Sequence, residues 1–347
     1  MNKLLDIRQA DIYKKKIFLR VDLDVPIKNG QIADDTRLKA WFETLEYLLN
    51  QKAKVIIAGH LGRPEGKDDK LSLKPVAEWV LKRFKLNDLS FKNFDGFAGW
   101  EVSENIVLLE NLRFYKEEEE NDKEFSKKLA SLAEIYVNDA FASSHRSHAS
   151  IVGVTNYLPS FAGLRLEKEV EELSKILNDP KRPLVVIIGG AKIETKLPLV
   201  EKMHHFADYV LVGGEIAEND KVLLKVQHEE ITGRKSALLV ADLTEDYKDI
   251  TVKSAENFLQ VCQNAESVVW NGPMGQVEEE KYQMGTEILA EGLSKLSSYT
   301  IVGGGDTLSF LKEKNLLDKF SFASTGGGAM LEFLAGEKLP GLVVLEA

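Results

Sequence analysis

Ten short apolar runs, each closed by a polar or glycine-rich loop, govern what this chain can fold into. They are Ile17–Val21, Val55–Ala58, Ile106–Leu109, Ile135–Val137, Leu184–Ile188, Tyr209–Val212, Leu238–Val240, Val268–Trp270, Thr300–Val302 and Phe320–Ala323. Between most of them lie longer stretches of helical period, such as Ala40–Leu49, apolar at 41, 42, 45, 48 and 49. A parallel strand covered on both faces reads as a continuous apolar run, and strand–helix alternation supplies the cover. The pattern predicts an α/β fold of two doubly wound parallel sheets. Ligands of such sheets sit beyond the carboxyl ends of the strands, so the residues after each run carry the functional information.

The 347 residues suit two domains of ordinary size, and 44% hydrophobic with 29% charged residues is enough for two cores. A net charge of −10 argues against nucleic acid as a partner, although it leaves room for a local basic pocket. The single cysteine, Cys262, excludes an intrachain disulfide and a multi-thiolate metal site, and its apolar surroundings in sequence read as core. No signal-peptide core follows Met1 and no apolar stretch is long enough to span a bilayer, which predicts a soluble cytoplasmic protein with no membrane partner.

The loops after the early runs are rich in arginine and histidine. They contain Asp22-Leu23-Asp24, Gly59-His60-Leu61-Gly62-Arg63-Pro64, Glu110-Asn111-Leu112-Arg113, and Asn138-Asp139-Ala140-Phe141 followed by Ser144-His145-Arg146-Ser147-His148. Arg37 comes from Asp34-Asp35-Thr36-Arg37, just ahead of the first helix. Any one of Arg37, Arg63, Arg113 and Arg146 reads as a surface residue. Jointly they offer planar forks matched to carboxylate and phosphate, and predict a small phosphorylated acid as ligand. His60 is the histidine best placed to join them, whereas His145 and His148 read as packed or solvated side chains. The run Glu117–Glu120 reads as the solvated start of a helix.

The loops after the later runs are glycine-rich: Gly189-Gly190-Ala191-Lys192, Gly303-Gly304-Gly305-Asp306-Thr307 and Ser324-Thr325-Gly326-Gly327-Gly328. One such loop reads as a flexible turn; three after successive strands favour backbone cradles for phosphate. Lys192 and Lys196 fall on one helix face if a helix begins near Ala191, and otherwise are two exposed lysines. Neither a Walker A loop nor a dinucleotide fingerprint occurs. Asp306 beside a docked phosphate suits Mg²⁺, which takes one or two carboxylates plus substrate oxygens. The two sets divide near the charged helix Glu167–Leu173, which ends at Asn178-Asp179-Pro180. The expected domains are 1–166 with 336–347 and 181–335, joined by a helix over 167–180. An arginine-lined acid site and a lysine–glycine polyphosphate site suggest phosphoryl transfer across a cleft, which needs positioning and charge neutralisation more than covalent chemistry.

From Phe18 onward the chain resembles the phosphoglycerate kinase family. The resemblance is carried by Leu19-Arg20-Val21-Asp22, Asp35-Thr36-Arg37, His60-Leu61-Gly62-Arg63-Pro64, Leu109-Glu110-Asn111-Leu112-Arg113-Phe114, Val137-Asn138-Asp139-Ala140-Phe141 and His145-Arg146-Ser147-His148-Ala149-Ser150. It continues through Gly189-Gly190-Ala191-Lys192, Trp270-Asn271-Gly272-Pro273-Met274-Gly275, Gly303-Gly304-Gly305-Asp306-Thr307 and Ser324-Thr325-Gly326-Gly327-Gly328-Ala329. It implies two Rossmann-like domains with a hinge, the C-terminal segment returning to the first. It also implies a monomeric, Mg²⁺-dependent enzyme of glycolysis and gluconeogenesis, moving a phosphoryl group between 1,3-bisphosphoglycerate and ADP. By the same resemblance Asp22, Asp24, Arg37, His60, Arg63, Arg113 and Arg146 hold the triose acid. Arg37, Lys192, Gly327 and Gly328 attend the phosphoryl in transit. Gly190, Lys192, Lys196, Gly213, Asn271, Glu278, Gly304, Gly305, Asp306 and Thr307 line the nucleotide site, Asp306 also meeting Mg²⁺.

Three departures accompany the resemblance. Asp24 stands where the family usually has asparagine, and a carboxylate accepts but does not donate. Thr195 stands where aspartate is usual, next to Lys196. The second domain is short after Gly213-Gly214, and Ile250-Thr251-Val252-Lys253-Ser254 replaces an Asp-x-Gly-Pro turn, so a more open base pocket is expected. The alternative is a catalytically silent relative that binds triose phosphate or nucleotide for regulation; the shortened adenine side leaves it open, and the presence of Arg37 and Lys192 opposes it. A flavodoxin-like module for another phosphorylated ligand explains the glycines but not two separate cationic sets.

Overall fold

Strand β1 (Lys16–Val21) shows why the apolar runs are unbroken. Ile17, Leu19 and Val21 enter one core with Trp41, Phe42 and Leu45 of helix α1 (Thr36–Asn50), while Phe18 enters another with Tyr136, Phe97 and Phe125. Helices lie over one face and the 112–132 segment over the other, so each side chain of the strand is taken out of water. The computed structural model describes residues 3–191, 193–218 and 235–347, with 193–195 described by backbone alone.

The chain divides into two compact units, residues 1–170 with 338–347, and residues 171–337. In the first, a short hairpin of β2 (Ile27–Lys28) and β3 (Gln31–Ile32) precedes α1. The main sheet runs β5 (Ser90–Phe94), β6 (Phe97–Ser103), β7 (Ile106–Leu109), β4 (Lys54–Ala58), β1, β8 (Ile135–Asp139) and β9 (Ser160–Ala162). From β7 to β9 all neighbours are parallel; β5 and β6 add an antiparallel edge. Residues 338–347 complete this unit: Leu5 N donates to Leu345 O (2.9 Å), Ala347 N to Lys3 O (3.0 Å) and Gly341 N to Ser144 O (2.8 Å).

In the second unit the order is β12 (Ala237–Val240), β11 (Tyr209–Val212), β10 (Leu184–Ile188), β13 (Ser267–Asn271), β14 (Tyr299–Gly303) and β15 (Phe322–Ser324), with every neighbouring pair parallel. Val185 and Ile187 share a core with Phe258, Trp270 and Leu289, and Val186 and Ile188 are buried on the opposite face. The charged helix between the sheets, α5, covers Leu164–Asn178, and the division between units falls inside it at Val170/Glu171.

Each of the ten apolar runs overlaps a strand. The edge pair β5–β6 has no counterpart in that reading because β5 is almost wholly exposed and cannot be a continuous apolar run. Its signal is Asp95-Gly96, both at positive φ (50° and 93°), the chemistry of a two-residue hairpin turn. The acidic run is also corrected in part. Glu118 is not solvated but fully buried, in the short helix α3 (Lys116–Glu119), where both carboxylate oxygens are used by Ser150.

Candidate functional site

The arginine-rich loops follow β7, β4, β1 and β8, which are adjacent in that order, so they gather along one carboxyl edge of the first sheet. Asp22 sits at the end of β1 and is buried. Its carboxylate accepts from Ala142 N and Ser143 Oγ, both at 3.0 Å, which ties the β1 loop to the β8 loop. Burial raises its pKa, against the pull of the Arg37 and Arg20 charges. Asp24 Oδ1 accepts from Gly62 N (2.9 Å), tying β1 to β4. Arg37, in the first turn of α1, donates from Nη1 to Asp24 O (2.7 Å) and lies 3.7 Å from Asp24 Oδ2. Arg113 donates from Nη1 to Gly62 O (2.7 Å) and pairs with Glu119 Oε1 at 3.1 Å. Arg63 and Arg146 are exposed, with no side-chain hydrogen bond or ion pair to the described residues, so their forks are open to an anion.

Arg20, which lies within an apolar run rather than in a loop after one, is the most enclosed cation of the cluster, with no exposed surface. The signal was its position inside an apolar run on the same strand face as Phe18, since a charge buried there has to be paired. It donates from Nε to Ser150 Oγ (2.8 Å), from Nη1 to Val21 O (2.6 Å) and from Nη2 to His60 Nδ1 (3.1 Å).

These cations act on the histidines. Burial first, then the Arg20 and Arg113 guanidiniums, hold His60 well below the ordinary imidazole range. Burial and Arg146 push His145 down to about 4; burial and Arg113 push His148 down to about 3. His148 Nδ1 is 3.9 Å from Glu118 Oε1, beyond hydrogen-bond reach. All three are neutral at physiological pH. The sign of the linkage follows: above pH 6.5 these groups favour neither state, and as pH falls the unfolded chain takes up protons that the folded chain refuses, so their contribution to stability drops from about 6.5 toward 3. In an NMR titration of the folded protein, His145 and His148 are expected to stay neutral down to about pH 5. A midpoint near 6.5 for either would contradict the packing.

The glycine-rich loops of the second unit gather at the carboxyl ends of β10, β11, β13, β14 and β15. Gly189 N donates to Asn271 O and Gly213 N to Ile188 O, both at 2.9 Å, and Trp270 Nε1 locks the next turn by donating to Gly272 O (2.8 Å). Gly272 has φ 92°, and a β-carbon there would overlap the Gly189 carbonyl, so this close approach requires glycine. Helix α6 begins at Ile193 rather than Ala191, and Lys196 Nζ donates to Gly189 O, returning its charge to the glycine loop. Lys192, the side chain of Thr195 and residues 219–234, which bear on the base pocket, lie outside the described residues.

Gly304, at φ 97°, precedes the helix Gly305–Glu313, whose first turn has no side-chain cap. A β-carbon on Gly304 would touch Asn271 Oδ1 and Thr307 Oγ1, so these groups converge. Asp306 is exposed beside them. Thr307 Oγ1 is buried with no hydrogen-bond partner, and the space around Gly305 is open. An unsatisfied buried hydroxyl beside uncapped N–H groups fits an oxygen-rich ligand arriving there. Among the described residues no group of three or more His, Cys, Asp or Glu side chains could hold a metal by itself. Glu278 is exposed in the turn after Gly275 and makes no side-chain hydrogen bond to the described residues.

Fold and loops together define a class: α/β proteins of two doubly wound units whose strand-end loops present cations or backbone N–H groups to anions. The family model for phosphoglycerate kinase matches residues 7–240 and 219–337. A phosphoglycerate kinase of Dictyoglomus turgidum is 39% identical over 389 aligned positions, covering 99% of this chain and 98% of the relative. One of Moorella thermoacetica is also 39% identical, covering 98% of each. Among solved structures, a phosphoglycerate kinase from Coxiella burnetii gives a TM-score of 0.78 at 34% identity, covering 99% of both chains. One from Pyrococcus horikoshii gives 0.83 at 29% identity, covering 99% of this chain and 98% of its own. The chain belongs to the phosphoglycerate kinase family. Among the described residues no helix is long and apolar enough to cross a membrane.

Proposed function

We propose that this protein is an active phosphoglycerate kinase, transferring a phosphoryl group reversibly between 1,3-bisphosphoglycerate and ADP to give 3-phosphoglycerate and ATP. The observation that carries the proposal is the pairing, in one chain, of a buried-anchored arginine cluster with glycine loops around an unsatisfied buried hydroxyl, Thr307. Asp22, Asp24, Arg37, His60, Arg63, Arg113 and Arg146 hold the triose acid. Gly190, Lys192, Lys196, Gly213, Asn271, Glu278 and Gly304 to Thr307 hold the nucleotide. Asp306 with the nucleotide phosphates holds Mg²⁺, which when bound neutralises phosphate charge. Arg37, Lys192, Gly327 and Gly328 stabilise the group in transit. The protein works as a cytoplasmic monomer on small-molecule substrates, with domains 1–166 plus 336–347 and 181–335 in the two binding roles.

The test is a coupled assay: purified protein, ATP, Mg²⁺ and 3-phosphoglycerate, with product consumption linked to NADH oxidation. Turnover well above a Lys192→Ala control is expected. None above it, with calorimetric binding of 3-phosphoglycerate retained, establishes the silent regulatory relative instead.

Asp24 bears on affinity less than its departure from asparagine suggests. Its carbonyl holds Arg37 and is present in any residue, and its Oδ1 serves Gly62 N as an amide oxygen could. Only the 3.7 Å, partly exposed ion pair is lost on replacement. Such pairs contribute up to about 1 kcal/mol, so Asp24→Asn is expected to shift the KM for 3-phosphoglycerate by less than about fivefold. A shift of about tenfold or more would show that the carboxylate itself sets affinity.

A further inference from the structure

The buried groups behind His60 form a chain with one possible direction. Glu118, fully buried, accepts from Ser150 N (2.9 Å) and from Ser150 Oγ (2.5 Å). Ser150 Oγ has spent its proton on Glu118 and accepts from Arg20 Nε (2.8 Å). Arg20 is donor-only, so its Nη2, 3.1 Å from His60 Nδ1, requires that nitrogen to be the acceptor. The step at His60 is forced, because a guanidinium only donates; at the other end burial raises the Glu118 pKa, while the Arg20 charge and the two Ser150 hydrogen bonds favour the carboxylate that accepts. The fold assembles the chain from four separate segments, β1 for Arg20, the loop after β4 for His60, α3 for Glu118 and the loop after β8 for Ser150. Tyr136 OH fixes the segment of Ser150 by donating to Ser150 O (2.7 Å).

The geometry points to Glu118 and Ser150 as positioning residues that, through Arg20, fix His60 as the neutral tautomer with its hydrogen on Nε2. That nitrogen has no partner among the described residues and is the one left to meet a ligand. A donor there suits an anionic oxygen, whereas the other tautomer would turn a lone pair toward it. Neither Glu118 nor Ser150 needs to touch the ligand to matter. The effect on the triose acid rests on the function proposed above; the tautomer does not.

The two are tested separately. Long-range ¹H–¹⁵N NMR on the labelled, substrate-free protein, with His60 assigned by comparison with His60→Gln, is expected to show one neutral Nε2–H imidazole from pH 5.5 to 8. An Nδ1–H form or an imidazolium overturns the proposal without any further variant. Ser150→Ala and Glu118→Gln are then expected to give a mixed His60 tautomer. They should also raise the KM for 3-phosphoglycerate about tenfold, with kcat within about threefold, the loss expected for one aligned hydrogen bond to a charged group. If either folded variant keeps the wild-type His60 signature, the relay is refuted. If the wild-type protein shows the expected tautomer but binds no 3-phosphoglycerate by calorimetry, the functional reading fails and the relay stands.

Discussion

Alanine at position 37 is expected to lower kcat about a hundred- to a thousandfold, the loss typical of one preorganised donor to developing charge. Affinity for 3-phosphoglycerate should fall only about threefold, because the binding forks proposed at Arg63, Arg113 and Arg146 remain. The reasoning comes from how each arginine is committed. Arg20 spends Nε, Nη1 and Nη2 on protein partners. Arg113 is held by Gly62 O and Glu119. Arg37 is tethered by a single nitrogen to Asp24 O, so it is aimed while its remaining N–H groups stay available. A side chain fixed at one end and open at the other suits charge that develops only during transfer. Arg37→Lys is not expected to rescue, since an ammonium cannot hold the carbonyl and present a planar fork together. Equal losses in kcat and in affinity would make Arg37 a binding residue only.

The second large effect is expected at Gly327. Its φ of 52° and ψ of −117° lie where residues with a β-carbon rarely go, and strain of about 1–3 kcal/mol follows from alanine there. That strain falls on the turn that aims the following N–H groups, so kcat is expected to drop about a hundredfold. Nucleotide affinity should stay within about threefold, because the phosphate contacts proposed for Gly304 to Thr307 and Lys196 are left untouched. Gly328→Ala serves as the companion. The space around that position is open and its φ is not positive, so a loss of turnover there reports obstruction of the ligand rather than strain. A change in affinity alone at Gly327 would refute the claim that this turn acts on the moving group.

The sheets and the loops that end them were legible in the sequence because burial on both faces leaves no alternation to confuse the pattern. What escaped had the opposite character. Strands β5 and β6 form a half-exposed edge, so their signal lay in Asp95-Gly96 rather than in apolar content. Glu118 sits in a run of four glutamates, and no local rule says which of four turns inward; tertiary contact with Ser150 decides it. Arg20 was inside a recognised strand and visible as a charge where water cannot reach, but its partners come from residues 60 and 150, and sequence spacing does not reveal that meeting. The loop residues Asp22, Asp24, His60 and Arg113 were legible as candidates from position after strands alone. Their ties to Ala142, Gly62 and Arg20 were not, because those depend on sheet order, which the apolar runs leave open.

The last ten residues, 338–347, belong with the first 170, while 171–337 is unbroken in sequence. During synthesis the unit that emerges first therefore waits for residues 338–347. Leu5 O meets Ala162 N (2.7 Å) within the first 170 residues, but Leu5 N, Lys3 O and Ser144 O gain their partners only when Leu345, Ala347 and Gly341 leave the ribosome. The later unit has no such debt and can condense as soon as its own residues are out. A ribosome stalled before residue 338 thus carries a first unit that lacks its closing segment and a second unit whose residues have all been made.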